Sequence, residues 1–574
     1  MPTATEVRAT LTGPGGMFEV VSEPVLGRTT PVYKDRMRSL REIPQAAVAR
    51  GDERPFLVYG ETTWGFRTFV ETANGVAEAL ADRCGLAPGD RVAVLSQNNP
   101  EWCLAFWATV SSGAILVGLN GWWKADEILY GLDDSGARVL VADRKRFERI
   151  ADQLDEATTV EHVFLIDCSP DDVPATGTAE IHGYDELTTR PTDRFPDAAI
   201  DEDDPAVIFY TSGTTGRSKG AVSTHRSMIA NLQNTLYITV AATMAGGNSV
   251  LGASDSPTVS LLTSPLFHVS GCHSGLVVGM LAGIEIVIPE GRFDAEKVLT
   301  LIERHRVTVW ATVPTMVWRV CEHPGRHDYD TSTVTSVAFG GSPSADELQR
   351  KVHDTFPNVR TTSNAYGLTE TSSVATVNGG ADAKRKPWSV GPPVPTVELR
   401  IEAPDGSEAA TGETGEVCVR GPILMKGYWG KPEATADAID RDGWLHSGDI
   451  GHLDDEGYLT ITDRKKDMII RGGENVYCVE IENRLVDHPD VADAAVVGVP
   501  HPSLGEEVKA FVQVEQGRTL TADQVRSWVA GELADFKVPA HVELRTEPLP
   551  RNASGKLLKN VLRGDAPVGF AETL

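Results

Sequence analysis

The sequence predicts an α/β protein: a large N-terminal domain of layered α/β sheets with a β-rich subdomain, followed by a small, mobile C-terminal α+β domain. Three observations predict this fold class. Strand and helix patterns alternate over most of the chain, which is typical of layered α/β sheets. Short strands and Gly-rich turns then fill 398–423. Beyond a charged cluster, helix and strand patterns alternate again over a stretch of about 100 residues, which is long enough for a separate domain.

The individual elements follow from hydrophobic periodicity. Residues 1–50 are expected to form an irregular arm that leads into a helix. Beyond the arm, the patterns predict a hairpin over 56–64, a helix over 68–83, and strands over 91–95, 114–119, 137–142, 163–166, 206–209, 285–288, 307–311 and 334–339. The Gly- and Ala-rich segment 241–255 is predicted to be a loop. The apolar tract 276–289 is short for a bilayer, so it predicts core helix and strand.

Domain boundaries are predicted from changes in composition. We expect a large N-terminal domain over 1–463, with its β-rich subdomain at about 390–463. The charged run at 463–467 interrupts the strand pattern, so 464–467 is the predicted hinge. The predicted C-terminal lid domain, 468–574, contains helices at 479–486 and 522–533 and strands at 491–499 and 507–514.

Composition and charge exclude several classes of protein. The formal net charge of −28 argues against nonspecific binding to nucleic acid or to an anionic membrane. Seven cysteines are dispersed without a C-x-x-C pair, which is neither a disulfide framework nor a zinc pattern and fits a reducing compartment. The first 20 residues show no apolar signal-peptide core. We therefore expect a cytoplasmic protein without a transmembrane segment, whose partners are small molecules.

The most informative motif is the hydroxyl- and glycine-rich loop after the strand predicted at 206–209. Its glycines let backbone N–H groups approach an anion, its hydroxyls donate hydrogen bonds, and its lysine adds a point charge, so the loop suits a polyphosphate. A P-loop is disfavoured, because Ser218 stands where that motif needs glycine and Gly220 where it needs Ser or Thr. The predicted phosphate-binding residues are Thr211, Ser212, Gly213, Thr214, Thr215, Gly216 and Lys219.

Further polar motifs follow along the chain. Glu370 offers a carboxylate for Mg²⁺, which takes one or two carboxylates plus phosphate oxygens, and Tyr366 offers a ring for a base. Asp449 follows a tight turn, and a carboxylate can accept both hydroxyls of a ribose. Glycines at 340–341 and 472–473 permit close backbone approach to a ligand. Each motif alone also fits an ordinary turn, and a core histidine is the alternative for His268.

Together, and in this order, the motifs resemble those of adenylate-forming enzymes, the superfamily of acyl-CoA synthetases, luciferases and peptide-synthetase adenylation domains. The resemblance covers residues 33–562, favours the acyl-CoA synthetase branch and departs mildly at Ser342, where alanine is more usual. It implies catalytic roles for Lys556, Thr369, Glu370 and His268, with Glu370 as the Mg²⁺ ligand. It implies that ATP or AMP contacts the phosphate loop together with Gly341, Ser342, Pro343, Tyr366, Gly367, Thr369, Asp449, Arg464 and Lys556. It implies a hinge at Lys466, a CoA-binding loop at Arg471, Gly472, Gly473 and Glu474, and an acyl pocket at His268, Gly340 and Gly341.

The expected function is that of an AMP-forming acid–thiol ligase, an ATP-dependent acyl-CoA synthetase that uses ATP, Mg²⁺ and coenzyme A. The run 119–123 resembles fatty-acyl members, which favours a medium- or long-chain fatty acid ahead of aryl or sterol side-chain acids. One alternative is an acyl-AMP ligase that passes the acyl group to a carrier protein. An inactive nucleotide- or CoA-binding regulator and a luciferase-like oxygenase are the others. The resemblance also suggests a homodimer.

Overall fold

The computed structural model describes residues 3–51, 53–211, 217–245, 257–340, 346–471, 474–552 and 556–564. Within these residues the strands form five sheets, of which the two largest lie in the N-terminal part of the chain. A four-stranded sheet follows them, and a five-stranded sheet lies near the C-terminus. This is the predicted α/β fold, with a large N-terminal domain that includes a β-rich part and a small C-terminal α+β domain. Among the described residues, no helix is both long enough and apolar enough to cross a membrane.

The strands and helices of the described residues are numbered here in chain order. The strands are β1 (Val20–Val25), β2 (Arg28–Tyr33), β3 (Pro55–Tyr59), β4 (Thr62–Gly65), β5 (Arg91–Leu95), β6 (Ile115–Gly118), β7 (Val139–Asp143), β8 (His162–Ile166), β9 (Glu180–Gly183), β10 (Pro205–Thr211), β11 (Lys219–Thr224), β12 (Val259–Leu261), β13 (Glu285–Ile288), β14 (Val309–Thr312), β15 (Ser336–Gly340), β16 (Thr361–Leu368), β17 (Ser373–Gly379), β18 (Glu398–Glu402), β19 (Gly415–Arg420), β20 (Leu445–Leu453), β21 (Leu459–Arg464), β22 (Ile469–Arg471), β23 (Glu474–Val476), β24 (Val491–His501), β25 (Gly505–Val514) and β26 (His541–Arg545). The helices are α1 (Ala4–Thr12), α2 (Glu42–Ala49), α3 (Phe66–Cys84), α4 (Pro100–Ser111), α5 (Ala125–Ser135), α6 (Arg144–Phe147), α7 (His225–Met244), α8 (Val269–Gly271), α9 (Val278–Ala282), α10 (Ala295–His305), α11 (Pro314–Cys321), α12 (Asp346–Thr355), α13 (Gly380–Arg385), α14 (Pro432–Ala438), α15 (Cys478–Val486), α16 (Ala522–Ala530) and α17 (Lys559–Arg563).

The seven-stranded sheet has the order β11-β10-β6-β5-β7-β8-β9 and is parallel except for the β10–β11 pair. Its strands are apolar on both faces because helices cover both. In β5, Val92 and Val94 pack with residues of α3 and α4, whereas Ala93 and Leu95 pack with residues of α5 on the other face. The phosphate loop therefore leaves one edge of this sheet, and β9 forms the opposite edge.

The eight-stranded sheet has the order β17-β16-β15-β14-β12-β13-β3-β4. Residues of β3 and β13 share a core with α3 and α4, so these helices lie between the two large sheets. The opposite face packs on α10, α11 and α12. The chain thus builds five layers, helix–sheet–helix–sheet–helix, and the ends of β15 and β16 carry two of the predicted site motifs.

The C-terminal part begins with the antiparallel sheet β18 to β21 and continues, after a turn at 465–467, into the sheet that contains β22 to β26. In this second sheet, β24 and β25 form a long antiparallel pair, and Ile481 of α15 and Val525 of α16 pack on one face of the sheet. This turn is the short connection between the two sheets, so its conformation determines the orientation of the C-terminal sheet relative to the four-stranded sheet.

Most predicted elements are confirmed, but three regions differ from the prediction, the third of them only in part. The arm at 1–50 is not irregular, since it contains α1 and the β1–β2 hairpin before the expected helix α2. Residues 219–224, which the sequence analysis left between the loop and a helix, form β11, antiparallel to β10. The phosphate loop therefore joins two paired strands. Helix α7 runs to Met244, so the first residues of the predicted loop 241–255 are helical, and 246–255 lie outside the described residues.

Candidate active site

A cavity of about 700 Å³ lies between the N-terminal sheets and the C-terminal domain. Its lining combines the end of β16, the strand β21, the helix α15 and the segment that leads into α17. Five residues that the sequence analysis assigned to the nucleotide line it: Tyr366, Gly367, Asp449, Arg464 and Lys556. Residues far apart in the sequence thus meet in one cleft.

Asp449 on β20 is the buried acid of this cleft. It is 3% exposed; its Oδ2 accepts a hydrogen bond from the Tyr366 hydroxyl at 2.9 Å, and its Oδ1 lies 3.1 Å from Nε of Arg464. Burial and the neighbouring Asp449 carboxylate raise the pKa of Tyr366 well above its ordinary value, so the phenol keeps its proton. Each carboxylate oxygen has a second lone pair, so Asp449 is still able to accept hydrogen bonds from a ligand.

Gly367 follows Tyr366 at a point where the β16–β17 register shifts. A Cβ atom at this position would lie 1.6 Å from the carbonyl oxygen of Ser373, so only glycine fits. An irregularity of this kind in a strand redirects side chains. The glycine therefore lets the two strands close behind Tyr366 while the chain turns toward Thr369 and Glu370.

Lys556 approaches the cleft from the C-terminal domain. Its backbone N–H donates to Oδ1 of Asn552 at 2.9 Å, and the Asn552 N–H donates back to its carbonyl oxygen at 2.9 Å. Burial, followed by the charge of Arg464, lowers the pKa of Lys556 to about 7, with a smaller contribution from Lys466 and an opposing one from Asp449. An amine with this pKa is poised to gain a proton when an anion arrives.

His268 lies close enough to Lys556 for the charge of the ammonium to change the pKa of the imidazole. Burial, and then the positive charge of Lys556, lower the pKa of His268 to about 4. The imidazole is therefore neutral near pH 7, and its Nδ1 lies 3.3 Å from the Ser270 hydroxyl. His268 precedes α8, and Gly340 ends β15 beside Ala365 of β16. Gly341, Ser342 and Pro343 lie outside the described residues.

Glu370 belongs to a second polar group, together with Tyr428 and Lys219. Its Oε1 accepts a hydrogen bond from the Tyr428 hydroxyl at 2.8 Å, and the ammonium of Lys219 lies 5.1 Å from the centre of the Tyr428 ring. Thr211 and Lys219 are register partners at the two ends of the loop. Ser212, Gly213, Thr214, Thr215 and Gly216 lie outside the described residues. Thr369, directly before Glu370, begins the same short turn.

Comparisons with known proteins identify the family. The model of the AMP-binding enzyme family matches residues 44–429, and the model of the AMP-binding enzyme C-terminal domain matches 480–556. The chain belongs to the AMP-binding enzyme family. Feruloyl-CoA synthase from Amycolatopsis sp is 36% identical over 528 residues, which are 92% of this chain and 97% of that protein. The long-chain-fatty-acid–CoA ligase of Escherichia coli O157:H7 is 32% identical over 563 residues, 94% of this chain and 96% of that protein.

The fold of this AMP-binding enzyme is also that of a solved relative. ATP-bound MatB from Rhodopseudomonas palustris superimposes with a TM-score of 0.78 at 30% identity, covering 92% of this chain and 99% of that chain. The chain is therefore an AMP-forming acid–thiol ligase of the acyl-CoA synthetase branch. Its cosubstrates are ATP and CoA, and its cofactor is Mg²⁺.

The predicted hinge and CoA loop of this AMP-binding enzyme lie on the C-terminal side of the cleft. Lys466 is in the turn between β21 and β22, and burial is the largest cause that lowers its pKa. Arg471 ends β22, where its guanidinium lies 3.1 Å from Glu507, and Glu474 begins β23. In the part of the chain that the structure describes, neither Arg471 nor Glu474 lines the cleft. Gly472 and Gly473 lie outside the described residues.

Three residues near these groups were not found from the sequence. Tyr428 holds Glu370, Asn552 closes the loop that carries Lys556, and Trp388, 67% exposed, lines the cleft. The clearest signal was at Tyr428, which lies in the glycine-rich run 427–430, where an aromatic residue between glycines is unusual in a surface turn. Asn552 and Trp388 have no distinctive sequence context.

Proposed function

We propose that this acyl-CoA synthetase activates a bulky hydrophobic carboxylic acid, with a medium- or long-chain fatty acid as the first candidate. The observation that carries the site assignment is the meeting of Lys556 with Asp449 and Arg464 in one cleft. His268 lies close enough to Lys556 for that ammonium to lower the pKa of the imidazole. That arrangement supplies cationic charge beside a group able to hold a ribose.

In the first half-reaction, the substrate carboxylate attacks the α-phosphorus of ATP and pyrophosphate leaves. Lys556 and Arg464 would offset the charge that develops on the α-phosphate, and Asp449 would accept hydrogen bonds from the ribose hydroxyls. The neutral imidazole of His268 would border the acyl group without competing for its charge. The protein mainly positions groups and stabilises charge in such transfers, and a closed cleft protects the reactive adenylate from water.

The residues near the phosphate loop fit Mg²⁺. Glu370 offers carboxylate oxygens beside the loop, which is the type of ligand that Mg²⁺ combines with phosphate oxygens. Bound there, the ion would neutralise charge on the pyrophosphate leaving group. Tyr428 orients Glu370 through its hydroxyl, and Lys219, close to the ring of Tyr428, would face the same phosphates.

For the second half-reaction we propose that residues 468–574 turn as a lid on 1–463 about the hinge 464–467, with the β-rich subdomain at about 390–463 staying on the larger body. Two observations support this. Lys556 now lies in the cleft, whereas Arg471 and Glu474 do not line it. Rotation about Lys466 would withdraw Lys556 and bring the loop 471–475 to the acyl-adenylate, where the CoA thiol attacks the acyl carbon and AMP leaves.

The substrate class has two candidates with separate support. The run 119–123 favours a fatty acid, and the fatty-acid ligase relative is 32% identical. An aryl acid is the second candidate, because the feruloyl-CoA synthase relative is 36% identical. Trp123 packs edge-on against Tyr210 at 5.4 Å, so this tryptophan braces the strand that leads into the phosphate loop.

Carboxylate-dependent release of pyrophosphate from ATP, measured with and without CoA over fatty, aryl and polycyclic acids, tests the proposal. We expect release with a hydrophobic acid and formation of its CoA thioester. Release without a thioester, but with transfer to an acyl carrier protein, would instead identify an acyl-AMP ligase. ATP binding without release for any acid in the panel would favour an inactive regulator.

We also infer that the enzyme works in the cytoplasm, as a homodimer. The seven cysteines are all free thiols, which supports a reducing compartment. The homodimer rests on the family resemblance, and sedimentation equilibrium would test it: a mass near the chain's 61.8 kDa would contradict it.

A further inference from the structure

A second cluster of ligand-type side chains lies at the edge of the seven-stranded sheet, away from the cleft. His162 of β8 and Glu180 of β9 are directly opposite each other in the parallel register, and His182 is two residues further along β9. Residues two apart in a strand share a face of the sheet. The register of the two strands therefore brings the three side chains together. No sequence motif predicts this cluster.

The distances in this cluster suit a metal ion better than direct hydrogen bonds. One oxygen of Glu180, Oε2, lies 3.5 Å from Nδ1 of His162 and 3.5 Å from Nε2 of His182. A hydrogen bond between these atoms would be about 2.7–3.2 Å long. A tetrahedral zinc ion with bonds of about 2.0–2.1 Å keeps its ligand atoms about 3.4 Å apart. All three ligand atoms lie within 4.8 Å of one another.

Two further observations point to a ligand. Nδ1 of His162 is buried and has no hydrogen-bond partner among the described residues, although buried polar atoms nearly always have one. The other ring nitrogen of His182, Nδ1, faces Oε1 of Glu186 at 3.9 Å, and the ring stacks on Phe164 with 5.2 Å between centres. An outer carboxylate and a packed ring orient metal-binding histidines in this way.

We propose that His162, Glu180 and His182 form a binding site for a divalent transition metal, with zinc as the best match. Two imidazoles and a carboxylate are a donor set that suits zinc, and a water would complete the tetrahedron on the exposed side of Glu180. The site is separate from the Mg²⁺ site at Glu370. β9 and β11 are opposite edges of the seven-stranded sheet, about 29 Å apart at the usual strand spacing. The metal would pin β9 to β8 and stabilise the fold, without changing turnover.

Another cluster of the same general type, in the four-stranded sheet, makes a matched control. Glu402, Cys418 and His446 also bring ligand atoms within 4.8 Å of one another. There, however, Nη2 of Arg400 lies 2.6 Å from Glu402. Burial, followed by the charges of Glu402 and Glu416, raises the pKa of the Cys418 thiol to about 12. A guanidinium already neutralises the carboxylate and the thiol keeps its proton, so this cluster should not bind zinc.

The test is calorimetric titration of the untagged, chelator-treated full chain with Zn²⁺ in excess Mg²⁺. We expect one equivalent of bound zinc, and at least tenfold weaker binding in His182→Ala and Glu180→Gln, since even outer partners of a ligand are worth about 10–100-fold. His446→Ala should bind as the unaltered protein does. Zinc should also raise the melting temperature of the unaltered chain, but not that of His182→Ala.

The control is carboxylate-dependent release of pyrophosphate from ATP. An unchanged rate in His182→Ala would establish that this variant folds and that the zinc site lies outside the catalytic machinery. Equal zinc binding by His182→Ala and the unaltered protein would overturn the proposal. So would loss of binding in His446→Ala, or no zinc binding by the unaltered chain.

Discussion

Two groups of charged side chains in this molecule differ in how completely their charges are matched. The arm network joins the N-terminal arm to the strand β10 and helix α7, and it consists of Glu23, Arg36, Arg38, Glu202, Asp203 and Arg226. The cleft cluster is Lys556 together with the four residues whose charges act on it most strongly, Asp449, Arg464, Lys466 and Asp467. The first has three acids for three arginines, and the second has two acids for three cations.

Matched charges in the arm network fasten one segment to another. Glu202, with a side chain 9% exposed, contacts Arg36 at 3.0 Å and also pairs with Arg38 and Arg226. Arg226 in turn lies 2.6 Å from Asp203. Each buried charge has a partner, so removing one would leave the others uncompensated.

Burial, followed by the charge of Arg464, lowers the pKa of Lys556 to about 7, so part of its population is neutral. The cationic surplus of the cleft cluster adds to the effect of burial. A surplus of this kind is unfavourable in the ligand-free protein and favourable once a phosphate is bound. With a net charge of −28, the chain as a whole repels ATP, so a local positive site is needed to hold it. Pairing of charges, and not burial alone, therefore separates a structural group of charges from a binding group.

Loss of the Lys556 ammonium should have the largest effect. In Lys556→Ala, adenylation should fall about 10²–10³-fold, the usual cost of removing one donor that stabilises developing charge. Thioester formation from a supplied acyl-adenylate should be spared, because that step does not use Lys556. Rapid-quench measurement of each half-reaction separates the two.

Lys559→Ala is the matched control for this change. Lys559 also lines the cleft, but its ammonium lies 2.8 Å from Glu482, so it belongs to a paired group. Its loss should lower stability and leave adenylation within a few-fold of the unaltered rate. If Lys559→Ala slows adenylation as much as Lys556→Ala, or if Lys556→Ala slows both half-reactions equally, paired and surplus cations do not differ in function.

Removing the central acid of the arm network should cost stability instead of activity. Glu202→Gln leaves three arginines around a neutral amide, so we expect the free energy of unfolding to fall by about 3 kcal/mol. Glu23→Gln, in which the lost carboxylate is 35% exposed, should cost less than about 1 kcal/mol. Urea unfolding measures both. Similar losses for the two variants would mean that Glu202 is not the centre of the network.

A proline at the predicted hinge should separate the two half-reactions. Lys466→Pro fixes φ in the turn between β21 and β22, so the chain should keep one arrangement of the lid and one half-reaction, and lose at least about tenfold in the other. Lys466→Ala, which removes the side chain but not the backbone freedom, should keep both. Single-turnover assays of each step provide the measurement, and two intact half-reactions in Lys466→Pro would place the hinge elsewhere.

The sequence predicted secondary structure best in segments whose conformation is determined by residues close to one another along the chain. After a charged first residue, β5 and β13 are continuous apolar runs, and both were predicted with their observed bounds. β11 was missed because Lys219 and Gly220 read as the end of a loop, and only the β10 partner makes them a strand. The capping box of Thr3 and Glu6 was a readable sign of α1 in the arm.

The same difference holds for the residues of the site: local motifs could be recognised from the sequence, whereas contacts between distant residues could not. The motifs around Tyr366 and Asp449 could be named from the sequence, but their hydrogen bond joins residues 83 positions apart. The contact of Tyr428 with Glu370 and the meeting of His162 with Glu180 likewise depend on tertiary structure. Periodicity and short motifs carry no information about which distant residues face each other, so these pairs could not be predicted.

The smallest expected effect is a proton taken up when ATP binds. Lys556 has a pKa of about 7 in the ligand-free protein, whereas a lysine in an unfolded chain has a pKa near about 10.4. The unfolded state therefore binds more protons than the folded state between about pH 7 and pH 10, so the free energy of unfolding rises with pH across that window. Below about pH 7 Lys556 is charged in both states, and burying its charge destabilises the fold by the full amount. Phosphates beside Lys556 would raise its pKa again, so ATP binding at pH 8 should take up close to 0.9 of a proton, and ATP affinity should fall as pH rises above 7.

Titration calorimetry in buffers with different ionisation enthalpies measures this uptake directly. At pH 8 the other shifted groups of the cleft are outside their titration range, since the pKa of His268 is about 4 and that of Asp463 is about 6. Lys466 is the exception because its pKa is also lowered, so Lys466→Met and Lys556→Met should be compared. Uptake that disappears only in Lys556→Met assigns the proton to Lys556. Uptake that persists in Lys556→Met would mean that the cationic surplus is relieved through another group.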